Sequence, residues 1–131
     1  MDARPAETPV VVITGASMGI GRALALNYAS QGARIAIQAR DHVALEEVAR
    51  EATKAGGICV TEAGDAMNAD DCARLIHRAK TEFDRIDILI NNAGRGYYAG
   101  VNDIHLGELA DLFALNVIAP LRLTQSRWTS W

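Results

Sequence analysis

The segment Thr14-Gly15-Ala16-Ser17-Met18-Gly19-Ile20-Gly21 places three glycines and a serine directly after the β-branched run Val10-Val11-Val12-Ile13. A turn of this kind between a buried strand and a helix can hold an anion. The helix start offers main-chain N–H groups without intrahelical partners, and it carries the positive end of the helix dipole. Each glycine suits one part of that geometry. Gly15 can take the backbone sharply out of the strand. Gly19 lets the main chain approach a diphosphate with no Cβ in the way, and Gly21 lets the helix lie tight on the sheet. Ser17 can add a hydroxyl donor. No Lys-Ser or Lys-Thr pair follows the glycines, which excludes a nucleoside triphosphate P-loop.

Other reactive residues do not assemble into sites. His42, His77 and His105 fall on different elements and lack metal-ligand spacing, so no metal site is expected. The carboxylate pairs Glu46-Glu47 and Asp70-Asp71 point to different helix faces and make no acid–base pair. Ser17 lacks the GxSxG elbow of a nucleophile. Cys59 and Cys72 have no CxxC spacing and read as reduced, partly buried thiols.

The elements that must position the glycine turn alternate along the chain. A strand over 10–13 leads to a helix over 19–30 that stops at Gly32. Residues 33–38 read as a second strand. Asp41 can cap the next helix, where Leu45, Val48, Ala49 and Ala52 form one apolar stripe that ends at Gly56-Gly57. Ile58-Cys59-Val60 is a third strand. Asn68 can cap a third helix with Cys72, Leu75, Ile76, Ala79 and Phe83 on one face. A fourth strand covers 87–90, a Gly- and Tyr-containing loop 94–100, and a last helical stretch about 106–126. Buried strands alternating with helices predict an α/β, doubly wound parallel sheet covered on both faces.

The 131 residues are half apolar, 22% charged and carry a net charge of −3. This is globular composition for one domain or part of one. An acidic chain without a basic cluster is not expected to bind nucleic acid. No apolar run reaches the roughly 20 residues needed to cross a bilayer, and the N-terminal residues lack a signal-type apolar stretch. No membrane partner is expected, and the expected location is cytoplasmic.

The glycine spacing, together with three later motifs, resembles the classical short-chain dehydrogenase/reductase family. Thr14–Gly21 matches its TGxxxGxG turn, and Gly64-Asp65 its acidic position after the third strand. Asn91-Asn92-Ala93-Gly94 matches its NNAG motif, and Leu115-Asn116-Val117 its helix segment with a catalytic Asn. The resemblance covers about residues 9–125 and implies a Rossmann-like sheet, here its first four strands and their helices only. It further implies oxidoreductase activity, with hydride passing between a nicotinamide dinucleotide and a small carbonyl or alcohol substrate. By that resemblance Gly15, Ser17, Met18, Gly19, Ile20 and Gly21 line the pyrophosphate and nearby ribose. Asp65 and Ala66 border the adenine, while Asn92, Ala93 and Gly94 flank the adenosine ribose. Asn91-Asn92 also suits a plain strand-ending turn.

Cofactor choice turns on Ile37-Gln38-Ala39-Arg40-Asp41. An acid at the end of the second strand hydrogen-bonds a ribose 2′-OH and favours NAD(H). Here Arg40 can pair with a 2′-phosphate in bidentate fashion, so NADP(H) is favoured. Asp41, one place beyond the usual acid, keeps NAD(H) possible, with Arg40 then a solvated helix-start residue paired to Asp41.

Pro120 follows Asn116 at i+4 and has no N–H, so a helix through both is expected to kink and leave the Asn116 carbonyl facing inward. In the family such a carbonyl holds a water of the proton relay. The family's catalytic Tyr and Lys, spaced YxxxK, have no counterpart: Tyr28, Tyr97 and Tyr98 are followed at i+4 by Gly32, Val101 and Asn102. The expectation is therefore a flexible leader (1–8), an incomplete NAD(P)-binding domain (9–126) and an atypical tail (127–131), truncated before the catalytic half and inactive alone. Tyr97 and Tyr98 could border substrate in a complete relative or simply pack the loop. Two alternatives stand beside this one: a non-catalytic fragment that forms homo- or hetero-oligomers through its last helix, and a non-functional gene remnant.

Overall fold

The computed structural model describes residues 8–94 and 99–129. Residues 1–7, 130–131, and Tyr97 and Tyr98 with their neighbours 95 and 96 lie outside the described residues. In chain order the elements are β1 (Val10–Thr14), α1 (Gly19–Ser30), β2 (Arg34–Gln38), α2 (His42–Ala55), β3 (Ile58–Thr61), α3 (Ala69–Phe83) and β4 (Ile88–Ile90). A short 3-10 turn (Val101–Asp103) then leads to α4 (Leu106–Phe113), a π-helical segment (Ala114–Ile118) and α5 (Ala119–Thr129).

The four strands form one parallel sheet in the order β3-β2-β1-β4. Val10 to Thr14 are all buried, as a central strand covered on both faces requires. Alternation along β1 sends Val11 and Ile13 to the face covered by α1 and α2, and Val10 and Val12 to the face covered by α3 and α5. Ile35 and Ile37 of β2 join the first layer, and Ala36 joins the second. The second layer is built from the stripe foreseen on α3, together with Leu123 of α5. This doubly wound α/β arrangement is Rossmann-like and matches the fold class expected from the residues.

Helix ends follow the foreseen chemistry. Asp41 caps α2 by accepting from the Ala44 N–H (3.0 Å), and Asn68 caps α3 by accepting from the Asp71 N–H (3.0 Å). Gly56 closes α2 in the left-handed region. The last stretch departs from a single helix. Its ladder widens over Ala114–Ile118, where the Ala119 N–H bonds the Ala114 carbonyl five residues back. Next to Pro120, which cannot donate, the backbone accommodates the lost N–H by a π turn, where the sequence alone predicted a plain kink. Among the described residues no helix is long and apolar enough to cross a membrane.

Candidate functional site

The carboxyl ends of β1, β2 and β4 converge on one cavity of about 880 Å³. Its size falls in the range of small-molecule and cofactor sites. Gly15, Ser17 and Met18 form one wall, and Asn92, Ala93 and Gly94 stand beside them. Arg40 and Asp41 line it from the end of β2, and Asp65 and Ala66 from the loop after β3. Gln38, Met67, Asp111 and Leu115 also line it and were not singled out from the sequence. Gly19, Ile20, Gly21 and Asn116 are not in the cavity wall.

The first crossover is held from behind by the loop after β4. Thr14 is buried, and its Oγ1 accepts from the N–H groups of Asn92 and Ala93, both at 3.1 Å. The Asn92 side chain donates back from Nδ2 to the Gly15 carbonyl (3.0 Å). Gly21 sits under this clasp. A Cβ there would lie 2.4 Å from the Gly15 oxygen and 2.5 Å from Asn92 Nδ2. Gly19 differs: its φ is +57°, and a Cβ would meet nothing within 4 Å. Its requirement is therefore conformational, with open space left beside the main chain.

The N-terminus of α1 has no side chain bound to it. Met18 at the cap position makes no side-chain hydrogen bond, and no acid lies in the first turn. By contrast α2 and α3 have Asp41 and Asn68 as caps, and α3 adds Asp70 and Asp71 in its first turn. The α1 terminus keeps its donors and its positive field for whatever fills the space before it.

The loop after β3 is shaped by a residue that the sequence reading set aside. Asp71 Oδ2 accepts from the Asp65 N–H (2.8 Å), and a Cβ at Gly64 would lie 2.9 Å from Asp71 Cβ. The Asp65 N–H bond, followed by Arg74, holds the Asp71 carboxyl below the usual carboxylate range despite desolvation. Asp65 Oδ1 accepts from the Met67 N–H (2.9 Å), so part of its acceptor capacity serves its own loop. Arg122 of α5 donates to the Met67 carbonyl (3.3 Å) and braces the same loop. The i+3 spacing from Asn68 to Asp71 signals the cap bond and not the separate bond that the Asp71 carboxylate accepts from Asp65.

Arg40 is exposed and has no ion-pair partner among the described residues, while Asp41 caps α2 through Oδ1. The alternative Arg40–Asp41 pair is not formed among the described residues. Asn116 lies in the π-helical segment, with its Oδ1 2.8 Å from where a Gly94 Cβ would be. It abuts the end of the cavity without lining it. The two cysteines are free; burial, then the Glu46 carboxylate, pushes the Cys59 thiol up to about 12.

Known proteins share this fold. 11-beta-hydroxysteroid dehydrogenase 1A of Arabidopsis thaliana is 49% identical over 86 residues, which are 65% of this chain and 25% of that protein. The structure of a metagenomic short-chain oxidoreductase in complex with NADP superposes with a TM-score of 0.87 at 36% identity, over 94% of this chain and 56% of the other. L-sorbose reductase from Gluconobacter frateurii, complexed with NADPH and L-sorbose, superposes with a TM-score of 0.88 at 32% identity, over 92% of this chain and 46% of that one. The chain thus spans between 25% and 56% of the length of these proteins. Glycine turn, clasp and cavity all fall within residues 9–130, the stretch matched by the short chain dehydrogenase family model, and the chain belongs to that family.

Proposed function

We propose that this chain holds the adenosine and pyrophosphate part of NADP(H) in the cavity above β1, as the cofactor-binding half of a short-chain oxidoreductase. The observation that carries this reading is the uncapped, acid-free N-terminus of α1 next to a cavity of about 880 Å³. The residues fit the group: a Cβ-free turn with open space at Gly19 and a guanidinium at the end of β2. In this reading Gly15, Ser17, Met18, Gly19, Ile20 and Gly21 surround the pyrophosphate through main-chain N–H groups and the Ser17 hydroxyl. Asp65 and Ala66 border the adenine, and Asn92, Ala93 and Gly94 the adjoining ribose. Arg40 pairs with the 2′-phosphate, which sets NADP(H) above NAD(H).

The bound nicotinamide dinucleotide supplies or accepts hydride, and the whole protein is proposed to pass it to or from a small carbonyl or alcohol substrate. Within these 131 residues no Tyr has a Lys at i+4. Acting alone, the chain then has no counterpart of the family's proton donor, a group of a kind worth about 10²–10⁴ in rate. We therefore assign it binding without turnover. Asn116 is the one member of the family's catalytic set that it carries. Calorimetric titration of the chain with NADPH and NADH tests the reading: saturable binding with NADPH the tighter ligand is expected. Absence of binding to both at millimolar concentration overturns it.

A second reading, self-association, is favoured by the apolar side chains left open after β4. Phe113, Val117, Ile118 and Leu121 are each about half exposed, at 54%, 51%, 47% and 55%, along α4, the π-helical segment and α5. Sedimentation analysis of the chain and of its Val117→Asp variant separates the two. A dimer dispersed by the substitution, with no cofactor response, supports the second reading.

A further inference from the structure

The cavity wall that follows β3 is not held by its own turn alone. Asp65, Ala66 and Met67 line the cavity between the end of β3 and the start of α3. Two peptide planes lie between Ala66 and Asn68, and each is tied at both ends. In the first, the Met67 N–H donates to Asp65 Oδ1 (2.9 Å), and the Ala66 carbonyl accepts from the Cys72 thiol (3.2 Å). In the second, the Asn68 N–H donates to the Asp65 carbonyl (2.9 Å), and the Met67 carbonyl accepts from Arg122 (3.3 Å). Three of these ties are made within residues 65–72. The fourth comes from α5, 55 residues further along the chain.

Packing explains how α5 can supply it. Leu123 is buried in the same apolar layer as Cys72, Leu75 and Ile76 of α3. That burial fixes α5 against α3. Arg122, the residue before it, is half-buried, so its stem can lie on apolar surface while its head reaches the loop. The Cys72 thiol feels the same guanidinium: burial raises it, and the charge of Arg122 acts in the opposite direction.

A hydrogen bond from a guanidinium is charge-assisted and stronger than one between neutral groups. Without it the Met67–Asn68 plane is held at one end and can rotate, and the Met67 segment of the cavity wall moves with it. A site whose competent shape is only partly populated binds its ligand more weakly by that fraction. Resting on the cofactor reading above, we infer that Arg122 is a positioning residue for the dinucleotide. From α5 it holds the Ala66–Met67 wall in the shape that receives the adenosine end, without touching the ligand. Its role is distinct from that proposed for Arg40, which meets a phosphate that only NADP(H) carries. Arg122 acts on a wall that both dinucleotides would meet, and it lies outside the four motifs of the family resemblance.

The test uses wild type, Arg122→Met, which keeps an apolar stem and removes the donor, and Arg122→Lys, which keeps a cationic donor. Dissociation constants for NADPH and NADH are measured by calorimetry. Residue-resolved amide exchange is measured on the ligand-free proteins. Arg122→Met is expected to weaken NADPH and NADH by the same factor, about three- to tenfold, the worth of one net hydrogen bond. Arg122→Lys is expected to recover most of that loss. In Arg122→Met the amides of Met67 and Asn68 are expected to exchange faster, while those of Asn92 and Ala93, bonded to Thr14 on the far side of the turn, keep their rates. If wild type binds NADPH and Arg122→Met binds both dinucleotides equally well, the inference falls and the cofactor reading stands. The same follows if the amides of Asn92 and Ala93 speed up as much as those of Met67 and Asn68, which would make Arg122 a support of the whole fold. If wild type binds neither NADPH nor NADH, the cofactor reading falls and takes the inference with it.

Discussion

Thr14 and Asn92 exchange hydrogen bonds across the first crossover: the Thr14 hydroxyl accepts the Asn92 N–H, and the Asn92 side chain returns a bond to the carbonyl of Gly15, next to Thr14. Two segments 78 residues apart are thereby locked edge to edge. The glycine turn is not self-supporting; its shape depends on the loop after β4. Removing the acceptor should show this. In Thr14→Val the Asn92 N–H keeps its second acceptor, the Ile90 carbonyl (3.1 Å), but the Ala93 N–H loses the Thr14 acceptor. We expect a loss of about 1–3 kcal/mol in stability, with Thr14→Ser close to wild type. Chemical denaturation of the three proteins measures it, and equal stability of Thr14→Val and wild type would contradict the clasp.

The glycines of the turn should separate by cause. Gly21→Ala puts a Cβ 2.4 Å from the Gly15 carbonyl oxygen, against backbone that cannot yield cheaply. The expected cost is at the upper end of, or above, the roughly 1–3 kcal/mol of an overpacked site. Gly19→Ala meets no atom, and pays only for holding an L residue at positive φ, roughly 1–2 kcal/mol. Thermal unfolding should therefore rank wild type, Gly19→Ala and Gly21→Ala in falling order. The reverse order of the two variants would show that φ, not the close approach, governs the turn.

Much of this was legible in the residues, and the exceptions have a common cause. The span of α1, the caps Asp41 and Asn68, and the buried stripe of α3 are local or periodic features, and each appears where the sequence placed it. Gly15, Ser17 and Met18 of the turn and the ends of β2, β3 and β4 meet at one cavity because the parallel sheet brings its carboxyl ends together. What was missed lies in contacts between distant segments. Asp87 has its Oδ2 on the Val10 N–H (2.8 Å) and pins the start of β1. Asp71 bridges Gln38 and Asp65. Asp87 to Val10 and Gln38 to Asp71 have no spacing signature because the partners are far apart along the chain, and the short Asp71 to Asp65 contact depends on the turn between them. The π-helical segment follows from Asn116 and Pro120 only once the neighbouring helix packing is known.

Arg40→Ala tests cofactor choice. A bidentate charge-assisted pair is worth about 1.5–3 kcal/mol, so NADPH affinity should fall roughly 10- to 100-fold. NADH, without the 2′-phosphate, should be nearly unaffected. The NADPH affinity of wild type should also weaken with added salt more steeply than that of the variant. Parallel losses for the two dinucleotides would remove Arg40 from the choice.

Acid should loosen the chain through two carboxylates. The Asp71 carboxyl is lowered first by the Asp65 N–H, against desolvation and with help from Arg74. For Asp87, desolvation acts upward, but the Val10 N–H and the Arg85 and Arg34 guanidiniums outweigh it and the net shift is down. A carboxyl with a folded pKa below its unfolded value of about 3.9 adds stability above that value, and the gain vanishes as pH falls through the folded pKa. Urea midpoints should therefore hold between pH 7 and 5 and drop below about pH 4. Asp71→Asn and Asp87→Asn should be less stable at pH 7, with a shallower acid decline. A decline as steep as that of wild type in both variants would assign the acid sensitivity to other groups.

The thiols should be silent while the chain is folded. Burial, with the Glu46 carboxylate adding to it, raises the Cys59 thiol to about 12, and burial is also the main cause raising Cys72. Alkylation needs the thiolate, which at pH 8 is then a minute fraction compared with an open cysteine of pKa about 8.5. Iodoacetamide at pH 8 should leave both residues largely unmodified in native buffer and alkylate both rapidly in urea, as read by intact mass. The rate under native conditions then reports opening of the fold, so a ligand that binds the cavity should slow it in proportion to occupancy. Rapid native alkylation of Cys59 would mean that β3 opens without global unfolding, and would place the β3 edge, remote from the clasp at Thr14 and Asn92, among the least stable parts of the molecule.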